Sequence, residues 1–452
     1  MFAPQASGLV KKPSRHRGSP SSGASADRGL VFKVDAGLCS VIGAREIIKT
    51  INSHQHVTRL ILGHNQLGDE GCIELFTFLS SPEGHKHRIE EISLNSNKIE
   101  NRGLEAIIEF LRGNLDLKEL FLQNNEFTCS PTLSQSFAEA LNTSRLSTLT
   151  LTTNRQLSDA FVSHFLPYLH TPHLKELHLS VIALTPSSAP HLIAYISSPR
   201  CRVTTLKCNG NALGLRSVQD IVTAIDKYNY TLCKVELYSN QLSDVHPNAH
   251  DEEDSNPALW GECGKLLVRI LYRNEDLKSS TESGALALLV VSRTLLLKSS
   301  SSTNPNPKDV MEKVTNSCPL PTPMSSPVIP PIARTTTVTG AFAFSRLPIE
   351  LQLTILGLTA PVLSTAQQLR IFAYASDLLT LPHLSTSNLN LPTSRPPLPS
   401  ASSTPSSKSE SCSQRNCVGH TSGVKCRNEM LRKQWLESMG CDVFEFECRD
   451  TI

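Results

Sequence analysis

An apolar pattern recurs seven times between residues 57 and 242 and constrains the fold more than any other feature of the chain. The pattern is apolar, two free positions, apolar, one free, apolar, two free, Asn, one free, apolar; the fourth unit has one extra residue after its Asn, and the fifth has Ile182 in place of the Asn. The units begin at residues 57, 89, 117, 146, 174, 203 and 232, at intervals of 32, 28, 29, 28, 29 and 29 residues. A period this regular predicts a repeat architecture whose neighbouring units stack on one another.

Each unit predicts one strand, one turn and one helix. In the second unit, residues 89–94 alternate apolar and free positions, which is typical of a strand with one buried face. Asn97 follows, and its amide can hydrogen-bond backbone groups as the chain turns. The apolar residues that then stand at helical spacing are Leu104, Ile107, Ile108 and Leu111. The pattern therefore predicts an α/β solenoid with parallel strands on one face and helices on the other.

These units resemble the leucine-rich repeats of ribonuclease inhibitor, which also run 28–29 residues with a full helix. The resemblance covers roughly residues 30–245. It implies a right-handed solenoid with strands on the concave face, helices on the convex face, and a partner protein held on the concave face. Residues 31–52 predict a degenerate first strand and helix, and two further helices near 258–273 and 282–298 are expected to close the other end.

The free strand positions are the candidate contacts for a partner, because they point into the concave face. Mixed charge with a few aromatic and aliphatic residues is typical of a protein-binding surface. The candidates are Arg59, Ile61, Glu91, Asn95, Glu119, Phe121, Gln123, His178, Lys207, Glu236 and Tyr238. Ile61, Phe121 and Tyr238 are the expected anchors. The alternative is that each of these is an ordinary solvated strand residue.

Composition divides the chain into six segments. Ser-, Pro- and Thr-rich stretches predict disordered linkers on either side of a compact apolar island. The expected segments are 1–29 (disordered), 30–298 (solenoid with caps), 299–341 (linker), 342–382 (helical), 383–411 (disordered) and 412–452 (a helical tail with cysteines).

The string from Leu347 to Leu356 resembles the start of an F-box. It reads Leu–Pro–x–Glu–Leu–x–x–x–Ile–Leu, and the residues that match are Leu347, Pro348, Leu351, Ile355 and Leu356. The resemblance implies a contact with the adaptor of a cullin-type ubiquitin ligase, with the repeats holding substrate. The alternative is a helical hairpin that docks on the solenoid. Burial of Leu351, Ile355 and Leu358 against residues 258–298 would favour the hairpin.

A metal-site candidate lies in the C-terminal tail. Cys412, Cys417, His420 and Cys426 offer four zinc-type ligands within 15 residues, but at a spacing that matches no familiar finger. The alternative is a set of cysteines scattered before an amphipathic helix at 428–439.

The chain shows no signature of an enzyme and no need for a cofactor. It lacks a phosphate-binding Gly-rich loop, a G-x-S-x-G turn and an H-E-x-x-H helix. The net charge of +2 favours neither nucleic acid nor an anionic membrane. No secretory signal is evident, so we expect a cytoplasmic protein, with a basic cluster at 11–17 that could direct it to the nucleus. One further alternative is the GTPase-activating protein for Ran, whose repeats are of the same class.

Overall fold

A computed structural model describes residues 29–128, 130–242, 257–301, 344, 347–381 and 427–446. They fall into two compact units. Within the described ranges, the first unit comprises residues 29–128 with 143–146, and the second comprises 130–142 with the described residues from 147 to 446.

The first unit is a parallel sheet whose strands alternate with helices. Its strands pair in the order β1-β2-β3-β4. The strands are β1 (Leu30–Phe32), β2 (Arg59–Ile61), β3 (Glu91–Ser93) and β4 (Glu119–Phe121). The helices are α1 (Ser40–Asn52), α2 (Gly68–Leu79), α3 (Pro82–His85) and α4 (Asn101–Leu111). The strand and helix predicted within residues 31–52 are present as β1 and α1.

The second unit continues the same alternation and adds helices. Its strands are β5 (Thr148–Thr150), β6 (Glu176–His178), β7 (Thr205–Lys207) and β8 (Lys234–Glu236), all paired in parallel with their neighbours. Each of these strands is preceded by a helix: α5 (Pro131–Thr143, whose last residue belongs to the first unit), α6 (Ser158–Phe165), α7 (Ala189–Ile196) and α8 (Gly214–Tyr228). The later helices are α9 (Pro257–Ser301), α10 (Ile349–Gly357), α11 (Thr365–Ser376) and α12 (Arg427–Met439). The alternation of parallel strands and helices confirms the predicted α/β repeat fold.

The core lies between strands and helices, as the apolar spacing predicts. Leu60, Ile92 and Leu120 occupy the middle of their strands and are fully buried. The apolar stripe of α4, from Leu104 to Leu111, is buried from the other side. One repeat cannot cover its own apolar face, so stability comes from contact between neighbouring repeats.

The repeated asparagines hold the turns after the strands. Asn125 is buried, and its Oδ1 accepts the backbone N–H groups of Asn97 and Ile99, at 3.1 and 3.2 Å. Its Nδ2 donates to the carbonyls of Leu94 and Leu122, both at 3.1 Å. The side chain of Asn125 therefore joins its own turn to the turn of the preceding repeat.

The expectation of two closing helices is wrong, because residues 257–301 form the single helix α9. The connecting stretch 274–283 contains neither Pro nor Gly, so nothing in it breaks a helix. Asn274 within that stretch is buried, and its Nδ2 donates to the carbonyls of Asn229 at 3.2 Å and Leu232 at 2.8 Å. A tertiary contact thus holds the stretch that was expected to separate two helices.

By length and composition, residues 260–297 of α9 could cross a membrane, the one such helix in the part of the chain that the structure describes. A long core helix passes the same test. Ala285, Leu288 and Leu296 of this stretch are buried in a cluster with α10, α11 and α12. Protein side chains therefore cover a part of the apolar surface of α9.

A second hydrophobic core joins α9 to the three last helices. Its members include Leu356 of α10, Ile371 and Phe372 of α11, and Leu436 of α12. The described parts of the F-box-like segment and of the C-terminal tail therefore share one core with the end of α9.

Candidate functional site

The strand face of the first unit carries an apolar row. The register places Phe32 beside Ile61, Ile61 beside Ser93, and Ser93 beside Phe121. Phe32 is 63% exposed, Ile61 and Phe121 are half-buried, and Ser93 is buried. Large apolar side chains that remain accessible in one row can anchor a protein partner.

A charged row runs beside the apolar one. Arg59, Glu91 and Glu119 occupy equivalent register positions on β2, β3 and β4. The guanidinium of Arg59 forms an ion pair with the carboxylate of Glu91. The row therefore carries two carboxylates and one guanidinium.

Asn95 and Gln123 lie just beyond the ends of β3 and β4 and are half-buried. The Oδ1 atom of Asn95 accepts the backbone N–H of Gln123 at 2.9 Å. This bond holds neighbouring repeats together, so Asn95 has a structural contact in addition to its predicted place on the face.

Phe32 belongs to this row but was not among the predicted contacts. Residues 31–52 were interpreted as a cap, and the degenerate cap hid the strand register. The sequence contains one signal that could have identified Phe32: it directly follows the apolar Val31, at a free position of the strand pattern. Only the pairing of β1 with β2 places Phe32 next to Ile61.

The strand face of the second unit is polar and densely hydrogen-bonded. His178 lies beside Thr150 and Lys207 in the register, and Lys207 lies beside Glu236. The Nδ1 atom of His178 is 3.1 Å from Thr150 Oγ1, and its Nε2 atom is 3.4 Å from a carboxylate oxygen of Glu176. Lys207 Nζ is 3.6 Å from Glu236 Oε1.

Burial and neighbouring charges shift two pKa values in this network. Burial lowers the pKa of His178, and the charge of Lys207 lowers it further, against the carboxylates of Glu176 and Glu236. Burial raises the pKa of Glu236, but hydrogen bonds from Asn209 and Lys234 outweigh it and hold that pKa below its ordinary value. The network therefore presents a neutral imidazole and an ionised carboxylate at neutral pH.

Tyr238 stands beside this network as its exposed aromatic member. It lies two residues beyond β8 and is 56% exposed. Its hydroxyl donates to Glu236 Oε2 at 3.3 Å, and Asn209 Nδ2 donates to the same oxygen at 2.8 Å. Of the three expected anchors, Tyr238 is thus on the polar face, whereas Ile61 and Phe121 are on the apolar one.

Helix α10 packs by one face and exposes the other. Leu356 is 1% exposed and lies in the core with α9, and Leu353 packs against the same cluster. Leu351, Ile355 and Leu358, at i, i+4 and i+7, are 50%, 42% and 73% exposed. Leu356 therefore packs α10 into the core. Leu351, Ile355 and Leu358, which a hairpin docked through this stripe would bury, remain accessible.

The C-terminal segment 440–446 ties the last helices to the repeats of the second unit. Glu445 forms ion pairs with Arg202, at 3.2 Å, and with Arg370, at 3.3 Å. It also accepts the hydroxyl of Ser364 at 2.8 Å. Asp442 pairs with Lys175 at 2.6 Å. Nothing in the cysteine-rich composition of this tail predicts such contacts.

The zinc candidates Cys412, Cys417, His420 and Cys426 lie outside the described residues. Within the described ranges, no group of three or more His, Cys, Asp and Glu residues is placed to hold a metal ion. Cys72 and Cys208, which lie within these ranges, are buried free thiols. Burial raises the pKa of Cys208 to about 12, so this thiol is protonated and unreactive at neutral pH.

Comparison with known proteins agrees with this geometry. Residues 53–76 and 85–107 match the family described as Leucine Rich repeat. These two segments are leucine-rich repeats. Repeats of this kind stack into solenoids and generally mediate contacts between proteins, typically as non-enzymatic scaffolds. No curated protein matches the chain.

Proposed function

We propose that this protein is a non-catalytic scaffold of the ribonuclease-inhibitor type that holds a partner protein on its strand face. The observation that carries the proposal is the row of Phe32, Ile61 and Phe121 in the first unit. A few residues provide most of the energy of a protein interface, and aromatic side chains are enriched in the core of such interfaces. The polar network around Glu236 adds hydrogen-bonding groups that can select among partners.

The test compares proteins captured from lysate by three forms of the full chain. The second form carries Ile61→Asp and Phe121→Asp on the strand face. The third carries Glu105→Lys, on the exposed side of α4 in the same unit. We expect the wild type and the Glu105→Lys form to capture the same partner and the double variant to lose it. Equal capture by all three forms would show that the strand face is not the binding surface.

A second candidate function rests on α10. A short helix that is apolar on both faces leaves one of them for another protein. Leu351, Ile355 and Leu358 form that accessible face. Together with the F-box resemblance, this observation supports a substrate receptor of a cullin-type ubiquitin ligase, whose adaptor would bind α10 through these residues.

This candidate has its own variant pair. Leu351→Asp with Ile355→Asp changes the exposed stripe, and Thr354→Asp changes an exposed residue at the edge of the stripe while all three apolar side chains stay in place. Recovery of a ligase adaptor by the wild type and Thr354→Asp, but not by the stripe variant, would support the receptor function. Absence of an adaptor from all three would reject it.

The free thiols of Cys72 and Cys208 support a place in a reducing compartment such as the cytoplasm.

A further inference from the structure

The tail segment, residues 440–446, lies against successive repeats of the second unit like a bound peptide. It contains neither helix nor strand. Asp442 pairs with Lys175, directly before β6, at 2.6 Å, and Glu445 pairs with Arg202, shortly before β7, at 3.2 Å. Its charged side chains therefore meet the repeats one after another, on the side of the sheet where the strands begin.

An aromatic contact extends this path to the next repeat. Tyr230, shortly before β8, stacks on the ring of Phe446 with 5.2 Å between the ring centroids, and Phe444 meets the same tyrosine edge-on at 5.9 Å. The guanidinium of Arg273 lies over the Tyr230 ring, 4.8 Å from its centroid. The tyrosine is thus held in place as a platform for an aromatic side chain.

The contacts of Glu445 are those of a site that recognises a carboxylate. One of its oxygens accepts both Arg202, at 3.2 Å, and Arg370, at 3.3 Å. The other oxygen accepts the hydroxyl of Ser364 at 2.8 Å. Charge-assisted hydrogen bonds to both oxygens favour an acidic side chain over a neutral or basic one.

The tail is held by few buried side chains. Among the described residues 429–446, only Leu436, Cys441 and Val443 are buried. The remaining contacts with the repeats are partly exposed ion pairs and ring contacts, and exposed ion pairs contribute little to stability. An element with so few buried apolar contacts opens at a lower free energy than the repeats to which it is attached.

We propose that Lys175, Arg202, Arg370 and Tyr230 form a docking site for a partner's acidic peptide with aromatic residues, which the tail segment occupies as an intramolecular competitor. The tail itself shows the chemistry that fits, because it presents two carboxylates followed by a ring. None of the four side chains belongs to the strand-face positions on which the proposed function rests. The two proposals therefore fail separately.

The test uses a fluorescent peptide of residues 436–446 with Cys441→Ser, and the full chain in two forms. The second form carries Asp442→Ala and Glu445→Ala, which release the tail. If the tail fills the site for more than about nine-tenths of the time, its release raises the apparent affinity for the peptide about tenfold or more. Equal affinity of the two forms in fluorescence polarisation overturns the proposal.

Charge reversal locates the peptide on the protein. Lys175→Glu with Arg202→Glu is expected to abolish binding of the acidic peptide and to restore binding to a peptide that carries Asp442→Lys and Glu445→Lys. Arg155→Glu is the control, because Arg155 is exposed and lies beyond the opposite end of β5. It should leave the affinity within about twofold. Binding that ignores the reversal at Lys175 and Arg202 rejects the site.

Hydrogen exchange shows whether the peptide displaces the tail of the wild-type chain, with no substitution that could disturb folding. We expect saturating peptide to speed deuterium uptake of residues 429–446 and to leave the repeats unchanged. The charge-reversed peptide should have no such effect. Unchanged uptake of the tail in the presence of bound peptide would show that the peptide lies elsewhere, which overturns the proposal.

Discussion

Replacing Asn211 by alanine should destabilise the second unit through lost backbone partners. Asn211 is 6% exposed. Its Oδ1 accepts the N–H groups of Ile182 and Leu184 at 3.0 and 3.2 Å, and its Nδ2 donates to the carbonyl of Leu179 at 3.0 Å. Alanine offers none of these bonds, so three buried backbone groups lose the partner that Asn211 provides.

The magnitude follows from the cost of each group. A buried donor or acceptor left without a partner costs about 1–3 kcal/mol, so three of them give a loss of at least about 3 kcal/mol. A fourth bond, from Asn211 Nδ2 to the carbonyl of Cys208 at 3.0 Å, is not counted. That carbonyl also accepts Asn240 Nδ2 at 2.9 Å and therefore keeps a partner.

The assay is urea unfolding of the full chain, followed by circular dichroism. Asp220→Ala is the control, because Asp220 lies on α8 of the same repeat with an exposed side chain. We expect the control to change the free energy of unfolding by no more than about 0.5 kcal/mol. A loss for Asn211→Ala as small as that of the control would refute the argument, since it would mean that the backbone groups find other partners.

Three further predictions concern stability. Leu356→Ala should cost about 2–5 kcal/mol because it opens a cavity in the core with α9, whereas Leu351→Ala should cost less than about 1 kcal/mol; urea midpoints of the two variants check this difference. Glu445→Gln should weaken the attachment of segment 440–446 and speed amide hydrogen exchange in α12, and unchanged exchange there would contradict the role given to the ion pairs. Burial raises the pKa of Asp159, but hydrogen bonds from Ser188 and Thr185 outweigh it and leave that pKa lowered. The carboxylate therefore stabilises the fold above the unfolded pKa of about 3.9, and this contribution disappears as the pH falls through the folded pKa. Asp159→Ala should thus be less stable than the wild type at pH 7, and the gap between their urea midpoints should shrink at pH 3; a gap independent of pH would rule out the ionised form as its source.

The candidate site was predictable where it depends on strand periodicity. Alternation placed Ile61 and Phe121 at free positions, and the structure leaves both accessible on the strand face. Phe32 was missed because the cap unit lacks the full pattern, so its register depends on pairing with β2. Glu236 was predicted as a contact, but its bonds to Asn209 and Tyr238 could not be, because both partners lie beyond the ends of their strands and Asn209 belongs to a different repeat.

Local periodicity therefore determined the repeat fold by itself. Apolar residues at every second strand position and on one stripe of each helix are buried when strands and helices pack against each other. The near-constant period repeats this packing along the chain. The asparagine at a constant offset determined the turns, because its amide bonds reach backbone groups of the same turn and of the turn before it.

Tertiary structure alone decided the arrangement of the C-terminal helices. Two separate helices were expected near 258–273 and 282–298, but the stretch between them is helical too, and within it Asn274 is buried with its amide on the carbonyls of Asn229 and Leu232. Likewise, α10 is apolar on both faces, and no local pattern distinguishes Leu356, which is buried, from Ile355, which is exposed. The physical reason is the same in both cases. Such contacts join residues far apart in the sequence, and their energy exists only once the chain has brought those residues together.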